Sequence, residues 1–430
     1  MKYNTQNAKI ASITEETLVL GIDVGSETHY VRAFDWRNYE FSDTPLAFSN
    51  DEAGFLTFMA WVEDIKEKSG KTAVIPGMEP TGHYWFNLGK FLQDSGMRPV
   101  HVNPHHVKKS KEMDDNNPDK NDRKDPKTIA ALVNEGRFSY PYIPTGVYAE
   151  IRSLSNLRFQ TQEEITRIRN RIARWISIYF PEYKDVYGEL DAVSGMMVLQ
   201  EAPLPMKIKE LGAEGINQIW RNAKLRGAGM KRAKTLLSAA EHSVGSQEAP
   251  EAASMEIWNL LEDYEKYSSR MDVLMARIEE KIKEVPYVDK LLEIKGIGLK
   301  TVCGFIAEVG DLSRFDDPKQ VQKLAGYAIV KNSSGKHAGE SHISYRGRKR
   351  LRYVLYEAAI SVIGKNSEFR EIHQYYQTRE KNPLKKMQSV VTVACKVLRV
   401  FYAILTKGVD YDGEKMLRDI RRPGMSARAA

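Results

Sequence analysis

Four acidic residues in the first third of the chain have the positions that a metal-binding site requires. Asp23 follows the apolar run LVLGI, and Glu79 follows the apolar run AVIPGM. Asp122 and Asp125 lie in KNDRKDPKTIA, at the start of a predicted helix. Strand ends and a helix N-terminus can converge on one point, and carboxylate oxygens are ligands that Mg²⁺ prefers. The pattern therefore predicts a site for Mg²⁺, or for Mn²⁺ in its place, of the kind that assists phosphoryl transfer.

These acids also have structural explanations. Glu79 precedes a proline and has the position of a turn acid, although its burial would then be costly without a partner. Asp125 before Pro126 has the sequence of a helix N-cap followed by proline at the first helical position. Asp119 precedes Asp122 by the same number of residues as Asp122 precedes Asp125. The sequence therefore leaves open which two of these aspartates form the acid pair.

The stretch GIDVGSETHY at residues 21–30 is typical of two different classes of protein. ATPases of the actin, Hsp70 and sugar-kinase type use such a turn to hold phosphate, whereas nucleases of the RNase H and RuvC type use its aspartate to hold a metal ion. Asp23 could also do no more than hydrogen-bond its own turn. The ATPase fold needs a second phosphate loop, but no downstream aspartate-glycine loop has a strand-turn-strand context, and VDYDGEK near residue 412 is a poor candidate. The later acids and the basic second half favour the nuclease.

The segments that must position these acids alternate between strand-like and helix-like patterns over residues 17–145. FLTFMAWVEDIKEK and HYWFNLGKFLQDSG have helical apolar spacing. The apolar, strand-like segments are LVLGIDV, HYVRAFDW, TAVIPGMEP and RPVHVN. This alternation predicts an α/β domain with acids at its strand ends.

Two long helices with heptad spacing are predicted after this domain. Their apolar seams favour pairing within one chain or between two chains, although each helix could instead pack on its own domain. The segment 242–254 between them is small and polar, which is typical of a linker. The seam residues are Ile165, Ile168, Ile172, Trp175 and Tyr179, then Ile257, Leu260, Tyr264, Tyr267, Met271, Leu274, Ile278 and Val285.

From residue 288 onward the pattern is mostly helical, with a turn resembling a helix-hairpin-helix. Gly296 and Gly298 would form this turn, whose backbone N–H groups could face a DNA phosphate. Packing between two helices requires the same glycines, so the sequence leaves both explanations open.

A basic segment, KNSSGKHAGESHISYRGRKRLR at residues 331–352, contains the serine pair Ser333 and Ser334. Serine is a weak nucleophile unless a base, a metal or a dense positive field activates it, and a Ser-Ser-Gly sequence is most often a flexible loop. The basic residues could bind phosphate, or could form a solvated helix face that contacts phosphate nonspecifically. The candidate phosphate-binding residues are Lys331, Lys336, His337, Arg346, Arg348, Lys349 and Arg350.

Composition favours an intracellular protein that binds a polyanion. The 430 residues carry a formal charge of +7, and the charge is concentrated in the basic segment. Cys303 and Cys395 lie in separate apolar stretches, which favours a reducing compartment and neither a disulfide framework nor a zinc site. No apolar run approaches the roughly 20 residues that span a bilayer, and the first residues lack a secretory signal. We therefore expect a cytoplasmic protein without a membrane partner.

Taken in order, several motifs resemble the DEDD-type transposases of bacterial and archaeal insertion sequences. This family includes the Piv-like DNA invertases and the bridge-RNA-guided recombinases. The resemblance extends from about residue 18 to 405. It is carried by GIDVGSETH, GMEPTGHYW, VNPHHVKKSKE, KNDRKDPKTIA, KGIGLKTVCGFIAEVGDLSRF, KLAGYA, NSSGK and ISYRGRKRLRYVL.

The resemblance implies a RuvC-like domain at 15–145, coiled-coil helices at 146–287, a C-terminal transposase domain at 288–412 and a basic tail at 413–430. It implies that the four acids are a metal-binding tetrad and that Ser334 is the nucleophile, with Ser333 as the alternative. The active site would be composite. Implied partners are donor and target DNA, a noncoding bridge RNA that pairs with both, and further copies of the chain as a dimer or a tetramer on DNA.

Three features leave room for other functions. Asn121 and Pro126 replace the threonine and alanine that are common in the family's acid pair, and residues 186–254 carry little family signal. A hydrolytic junction resolvase or nuclease would need the acids but would use Ser334 only structurally. A nucleic-acid scaffold without enzymatic activity would need neither.

Overall fold

The computed structural model describes residues 6–42, 44–114, 125–330, 333–334, 337–338, 342–418 and 420, with side chains described except at 113–114, 333–334 and 337–338. The chain folds as two compact units, Met1–Ile143 and Pro144–Ala430. The predicted combination of an α/β domain with a mostly helical remainder is confirmed.

The first unit is built on a mixed sheet of six strands in the order β3-β2-β1-β4-β5-β6. β1 is antiparallel to β2 and parallel to β4, while β4 is parallel to β5. This arrangement brings the C-terminal ends of β1 and β4 to the same edge of the sheet. The strands are β1 Thr17–Asp23, β2 Thr28–Phe34, β3 Leu46–Ser49, β4 Ala73–Met78, β5 Val100–Val102 and β6 Phe138–Ser139.

Helices cover both faces of this sheet, because the central strands are apolar on both sides. On one face, Leu18, Leu20 and Ile22 form a core with α2 and α3, which span Glu52–Ser69 and Trp85–Asp94. On the other face, Val19 forms a core with α4 and α5, which span Pro104–Asp114 and Asp125–Asn134. The short helix α1, Gln6–Ala11, precedes the sheet.

Local sequence sets the ends of the covering helices. The Asp51 carboxylate accepts a hydrogen bond of 2.8 Å from the Gly54 N–H and so caps the N-terminus of α2. Gly70 ends the same helix with φ of 65°, a left-handed conformation that glycine adopts without strain.

The second unit contains two long helices that pack along each other, α6 (Gly146–Tyr179) and α11 (Pro250–Ile282). Of the arrangements left open above, pairing within one chain is the one observed. The indole N–H of Trp175 donates to the Ala253 carbonyl at 2.8 Å and ties the two helices together. α11 begins at Pro250, so the end of the segment 242–254 is helical rather than a linker.

The helical pair carries a hydrophobic core at each end, which we call the tip core and the base core. The tip core joins Ile168, Ile172 and Ile257 to the helices between α6 and α11. The base core joins Ile151 and Ile278 to the helices that follow α11. The tip helices are α7 Tyr183–Val186, α8 Val193–Glu201, α9 Pro205–Asn222 and α10 Met230–Glu241.

The remaining elements follow α11, and their helices supply most of the base core. The helices are α12 Val288–Leu292, α13 Leu299–Val309, a 3₁₀ turn Leu312–Arg314, α14 Pro318–Leu324, α15 Lys349–Lys365, α16 Ser367–Thr378, α17 Lys386–Lys407 and α18 Gly413–Leu417. The short strands are β7 Ile329–Val330, β8 Ser333–Ser334, β9 His337–Ala338 and β10 His342–Ile343. β7 pairs with β10, and β8 pairs with β9.

Within the part of the chain that is described, α17 is long and apolar enough to cross a membrane by length and composition alone. Lys396 and Arg399 interrupt its apolar sequence, so this helix does not contradict the expectation that no uninterrupted apolar run reaches the length of a bilayer span. One side of α17, including Val393, Leu398 and Phe401, is buried in the base core. A buried core helix meets the same criteria of length and composition.

Candidate metal centre and nucleic-acid interface

Asp23 and Glu79 come from the ends of two adjacent parallel strands. Asp23 is the last residue of β1, and Glu79 directly follows β4. Ile22 is in register with Met78, so each acid is one residue beyond the last aligned pair. Neighbouring strands lie about 4.8 Å apart, which places the two backbones within reach of a common ligand.

A glycine pair on the same two strands lets α5 approach the sheet. Gly21 and Gly77 are in register with each other. A Cβ atom added to Gly21 would lie 1.8 Å from the Pro126 carbonyl oxygen, and one added to Gly77 would lie 2.5 Å from Val133 Cγ2. Glycine is thus required at Gly21 by the close approach of a helix backbone rather than by an unusual φ.

The same geometry places Asp125 near the strand ends. Side chains two residues apart on a strand point to the same face, so Asp23 shares the face of Gly21, and Glu79 continues the face of Gly77. α5 covers this face and begins at Asp125. The backbone positions of these three acids therefore lie toward one edge of the sheet, and the convergence of their side chains on a metal ion stays a prediction.

Lys111 on α4 forms an ion pair with Asp125, between Lys111 Nζ and Asp125 Oδ2. The Asp125 side chain is 15% exposed and that of Lys111 is 36% exposed. Burial raises the pKa of Glu79, with the Lys111 ammonium opposing this increase and the Asp125 carboxylate adding to it. Both Lys111 and Asp125 are therefore close enough to Glu79 to influence its charge.

Asp122, and its alternative Asp119, lie outside the described residues. Within the ranges that are described, no three His, Cys, Asp or Glu side chains are grouped closely enough to hold a metal ion. The chemistry of the donors nevertheless fits Mg²⁺, because all are carboxylates and a positive charge already contacts one of them. The assignment of all four acids as metal ligands stays a prediction.

The candidate phosphate-binding residues fall into two groups at the N-terminus of α15. Arg346, Lys349 and Arg350 are exposed. Arg350 also donates to Asn156 Oδ1 at 2.6 Å, which fixes its position on the surface of α6. Arg348 instead donates to the Glu308 carbonyl at 2.8 Å and pairs with its carboxylate at 3.4 Å. Lys331 and Lys336 lie outside the described residues.

The glycine turn predicted between two helices is present between α12 and α13. Gly296 has φ of 98°, and its carbonyl accepts a hydrogen bond of 2.7 Å from Ser361 Oγ on α15. Internal packing therefore accounts for Gly296. Gly298 precedes α13 and is exposed with an extended backbone. A DNA contact at either glycine stays a prediction.

Ser333 and Ser334 form the short strand β8, which pairs with β9 so that Ser334 is opposite His337. Their side chains lie outside what the structure describes, so the choice of nucleophile stays a prediction. Cys303 and Cys395 are free thiols, and burial raises the pKa of each to about 11. Neither cysteine has the depressed pKa of a reactive thiol.

Sequence reasoning missed Gly21, Gly77 and Lys111 as contributors to the metal centre. The two glycines each precede an acid by two residues, a repeated Gly-x-acid spacing in GID and GME that could have revealed them. Lys111 is one of several lysines in VNPHHVKKSKE, and the sequence does not distinguish the one that reaches Asp125.

Two family models match the chain. A model for DEDD-type IS110 transposases matches residues 20–181, and one for the IS116/IS110/IS902 transposase family matches residues 288–376. The first match contains the described acids, and the second contains the serine pair and the exposed arginines.

Individual relatives agree with these models. The 44.8 kDa protein of insertion element IS116 from Streptomyces clavuligerus is 24% identical over 92% of this chain and 96% of its own length. The 42 kDa protein of insertion element IS900 from Mycobacterium paratuberculosis is 23% identical over 90% of this chain and 94% of its own length. The pilin gene-inverting protein of Moraxella bovis is 29% identical over 28% of this chain and 38% of its own length.

Carboxylates at the strand ends of a mixed sheet and exposed arginines on a helical unit are features of an enzyme that processes DNA. The chain belongs to the IS110/IS116 family of DEDD transposases, which has Piv-like inverting proteins among its relatives.

Proposed function

We propose that this protein is the recombinase of an insertion sequence, which cuts and rejoins DNA through a covalent bond between a serine and a DNA phosphate. Ser334 is the nucleophile in this proposal, with Ser333 as the alternative. The hydroxyl attacks a backbone phosphorus, the phosphodiester bond to the leaving sugar oxygen breaks, and that oxygen takes up a proton. Attack by a second sugar hydroxyl on the phosphoserine then rejoins a strand and releases the serine.

The placement of Asp23 and Glu79 at adjacent strand ends, with Asp125 at the start of the helix that covers them, supports this proposal best. The sheet order is compatible with a RuvC-like domain. In the proposal these acids, together with Asp122, hold Mg²⁺ or Mn²⁺. Such an ion would polarise the phosphate and stabilise the leaving oxygen when bound.

The basic residues have a separate role in the proposal. Arg346, Lys349 and Arg350 are exposed and would contact the DNA backbone, while Lys331 and Lys336 flank the serine pair in sequence. Contacts of this kind position a duplex without reading its sequence. A bridge RNA that pairs with donor and target DNA would then select the sites. Strand exchange between two duplexes would require a dimer or a tetramer, acting in the cytoplasm of a prokaryotic cell.

Covalent adduct formation tests this proposal directly. The full chain, purified with its bound RNA, is incubated with Mg²⁺ and end-labelled DNA that contains the junctions of its own element. Denaturing gels should show labelled DNA that enters the gel only after protease digestion. Ser334→Ala should abolish this adduct, Ser333→Ala should retain it, and Asp23→Asn or Glu79→Gln should reduce it strongly.

Other outcomes point to other functions. Free cut ends from an active Ser334→Ala protein would contradict the phosphoserine and favour a junction resolvase or nuclease that hydrolyses DNA. Loss of the adduct in Ser333→Ala alone would move the nucleophile to Ser333. DNA activity unaffected by the acid substitutions would favour a scaffold. Activity without co-purified RNA would contradict RNA guidance.

A further inference from the structure

Lys111 is held on a helix that the core fixes next to the acids. α4 packs on the sheet face that carries α5, through the buried side chain of Val107. Lys111 is one helical turn further along, and its ammonium contacts Asp125 Oδ2. Residues four apart lie on the same side of a helix, so the packing of Val107 directs Lys111 toward α5.

The charge of Lys111 influences two of the acids. It forms an ion pair with Asp125, whose side chain is mostly buried. It also opposes the increase in the pKa of Glu79 that burial causes and that Asp125 reinforces. An exposed ion pair contributes little because water screens it, but a pair on a mostly buried carboxylate is screened less. Lys111 therefore offsets part of the repulsion between two acids that share one region.

We propose that Lys111 is a tethered counter-ion, which occupies the acid site in the protein without metal and which a divalent ion must displace. This inference rests on the proposed metal site and adds a competitor to it. The side chain of Lys111 is 36% exposed and ends a flexible four-carbon stem, so the ammonium has a path into water when it leaves Asp125. The apparent affinity for metal is then lower than the carboxylates alone would give.

Lys109 provides a matched control for this competition. It is a lysine on the same helix, is exposed, and belongs to the same stretch of sequence. Replacement of Lys109 changes the net charge of the protein as much as replacement of Lys111 does, without removing the ion pair with Asp125. Any general effect of charge on metal binding is thereby separated from the effect of the Lys111 contact.

Binding of Mn²⁺ to the full chain, measured by electron paramagnetic resonance without DNA, tests the proposal. Lys111→Met should bind Mn²⁺ about tenfold more tightly than the wild type, the order expected for loss of one competing charge at a partly buried site. Lys111→Arg, which keeps the cation, and Lys109→Met should bind as the wild type does. In the chelator EDTA, Lys111→Met should also melt at a lower temperature than the wild type, and added Mn²⁺ should remove this difference.

The outcomes distinguish an incorrect counter-ion proposal from an incorrect metal-site proposal. Equal or weaker Mn²⁺ binding by Lys111→Met would overturn the counter-ion while leaving the metal site intact. If Asp125→Asn binds Mn²⁺ as tightly as the wild type does, Asp125 is not a ligand, and the counter-ion proposal fails with it. If Lys111→Met does not fold, Lys111→Gln, which is polar and uncharged, takes its place with the same expected result.

Discussion

Replacing Gly21 with alanine should displace α5 and with it Asp125. The added Cβ atom would lie 1.8 Å from the Pro126 carbonyl oxygen and 3.0 Å from the Ala130 nitrogen, both in the backbone of α5. Carbon and oxygen atoms pack at about 3.3 Å, so the helix must retreat by roughly 1.5 Å. Such overpacking typically costs about 1–3 kcal/mol of folding free energy. We expect Gly21→Ala at the upper end, because backbone atoms cannot rotate away.

Gly77→Ala should have a smaller effect in the same direction. Its Cβ atom would meet the Val133 Cγ2 methyl at 2.5 Å, and the next atom is the Leu20 carbonyl oxygen at 3.3 Å. A side-chain methyl can move further than a helix backbone. Gly188→Ala is the control, because an added Cβ at this exposed glycine has no neighbour within 4 Å.

Hydrogen-deuterium exchange read by mass spectrometry reports on α5 separately from the second unit. Peptides that cover Asp125–Asn134 should exchange faster in Gly21→Ala, less so in Gly77→Ala, and at the wild-type rate in Gly188→Ala. A misplacement of about 1 Å can cost on the order of 100-fold in rate, so covalent adduct formation should fall in parallel. Wild-type exchange together with wild-type activity in Gly21→Ala would refute the close approach of α5 to β1.

Two further predictions concern a half-buried histidine and the arginines that precede α15. Burial lowers the pKa of His101 from 6.5 to about 4. Between these pH values the unfolded chain therefore binds a proton at this residue that the folded chain does not bind. The free energy of unfolding should then decrease by up to roughly 3 kcal/mol between these pH values, and His101→Phe should flatten this dependence; an unchanged slope would contradict it. Arg346→Ala should weaken DNA binding without changing the stability of the fold. It should also reduce the slope of log binding constant against log salt concentration by about one. Arg348→Ala should instead cost about 1–3 kcal/mol of stability, since it leaves the carboxylate of Glu308 without its partner; equal melting temperatures for the two variants would count against this division.

The central part of the sheet was predictable because its strands are apolar, including β5 with only three residues. β1, β2, β4 and β5 all lie in segments that the sequence marks as strands. β3 and β6 were missed, because they are short edge strands that bury little. α4 was missed for a related reason. Its polar sequence includes the buried Val107 but gives no periodic apolar face.

The positions of the candidate metal ligands could be anticipated from the sequence, but their contacts could not. Asp23, Glu79 and Asp125 have strand-end and helix-start positions that a sequence can reveal. The ion pair of Lys111 with Asp125 joins two helices, so no local pattern encodes it. The pairing of α6 with α11 is a similar case, because a heptad seam has the same appearance whether its partner is in the same chain or another.

The long helical pair of the second unit has a geometric consequence for how this region can change. α6 has 34 residues, so it extends for about 51 Å at 1.5 Å per residue. Each inserted residue would advance the tip core by about 1.5 Å but rotate its apolar face by about 100° around the helix. An insertion in α6 alone would therefore turn Ile168 and Ile172 away from their neighbours on α11. The separation of the two cores can therefore be adjusted only in steps close to whole helical turns, such as about seven residues added to both helices together.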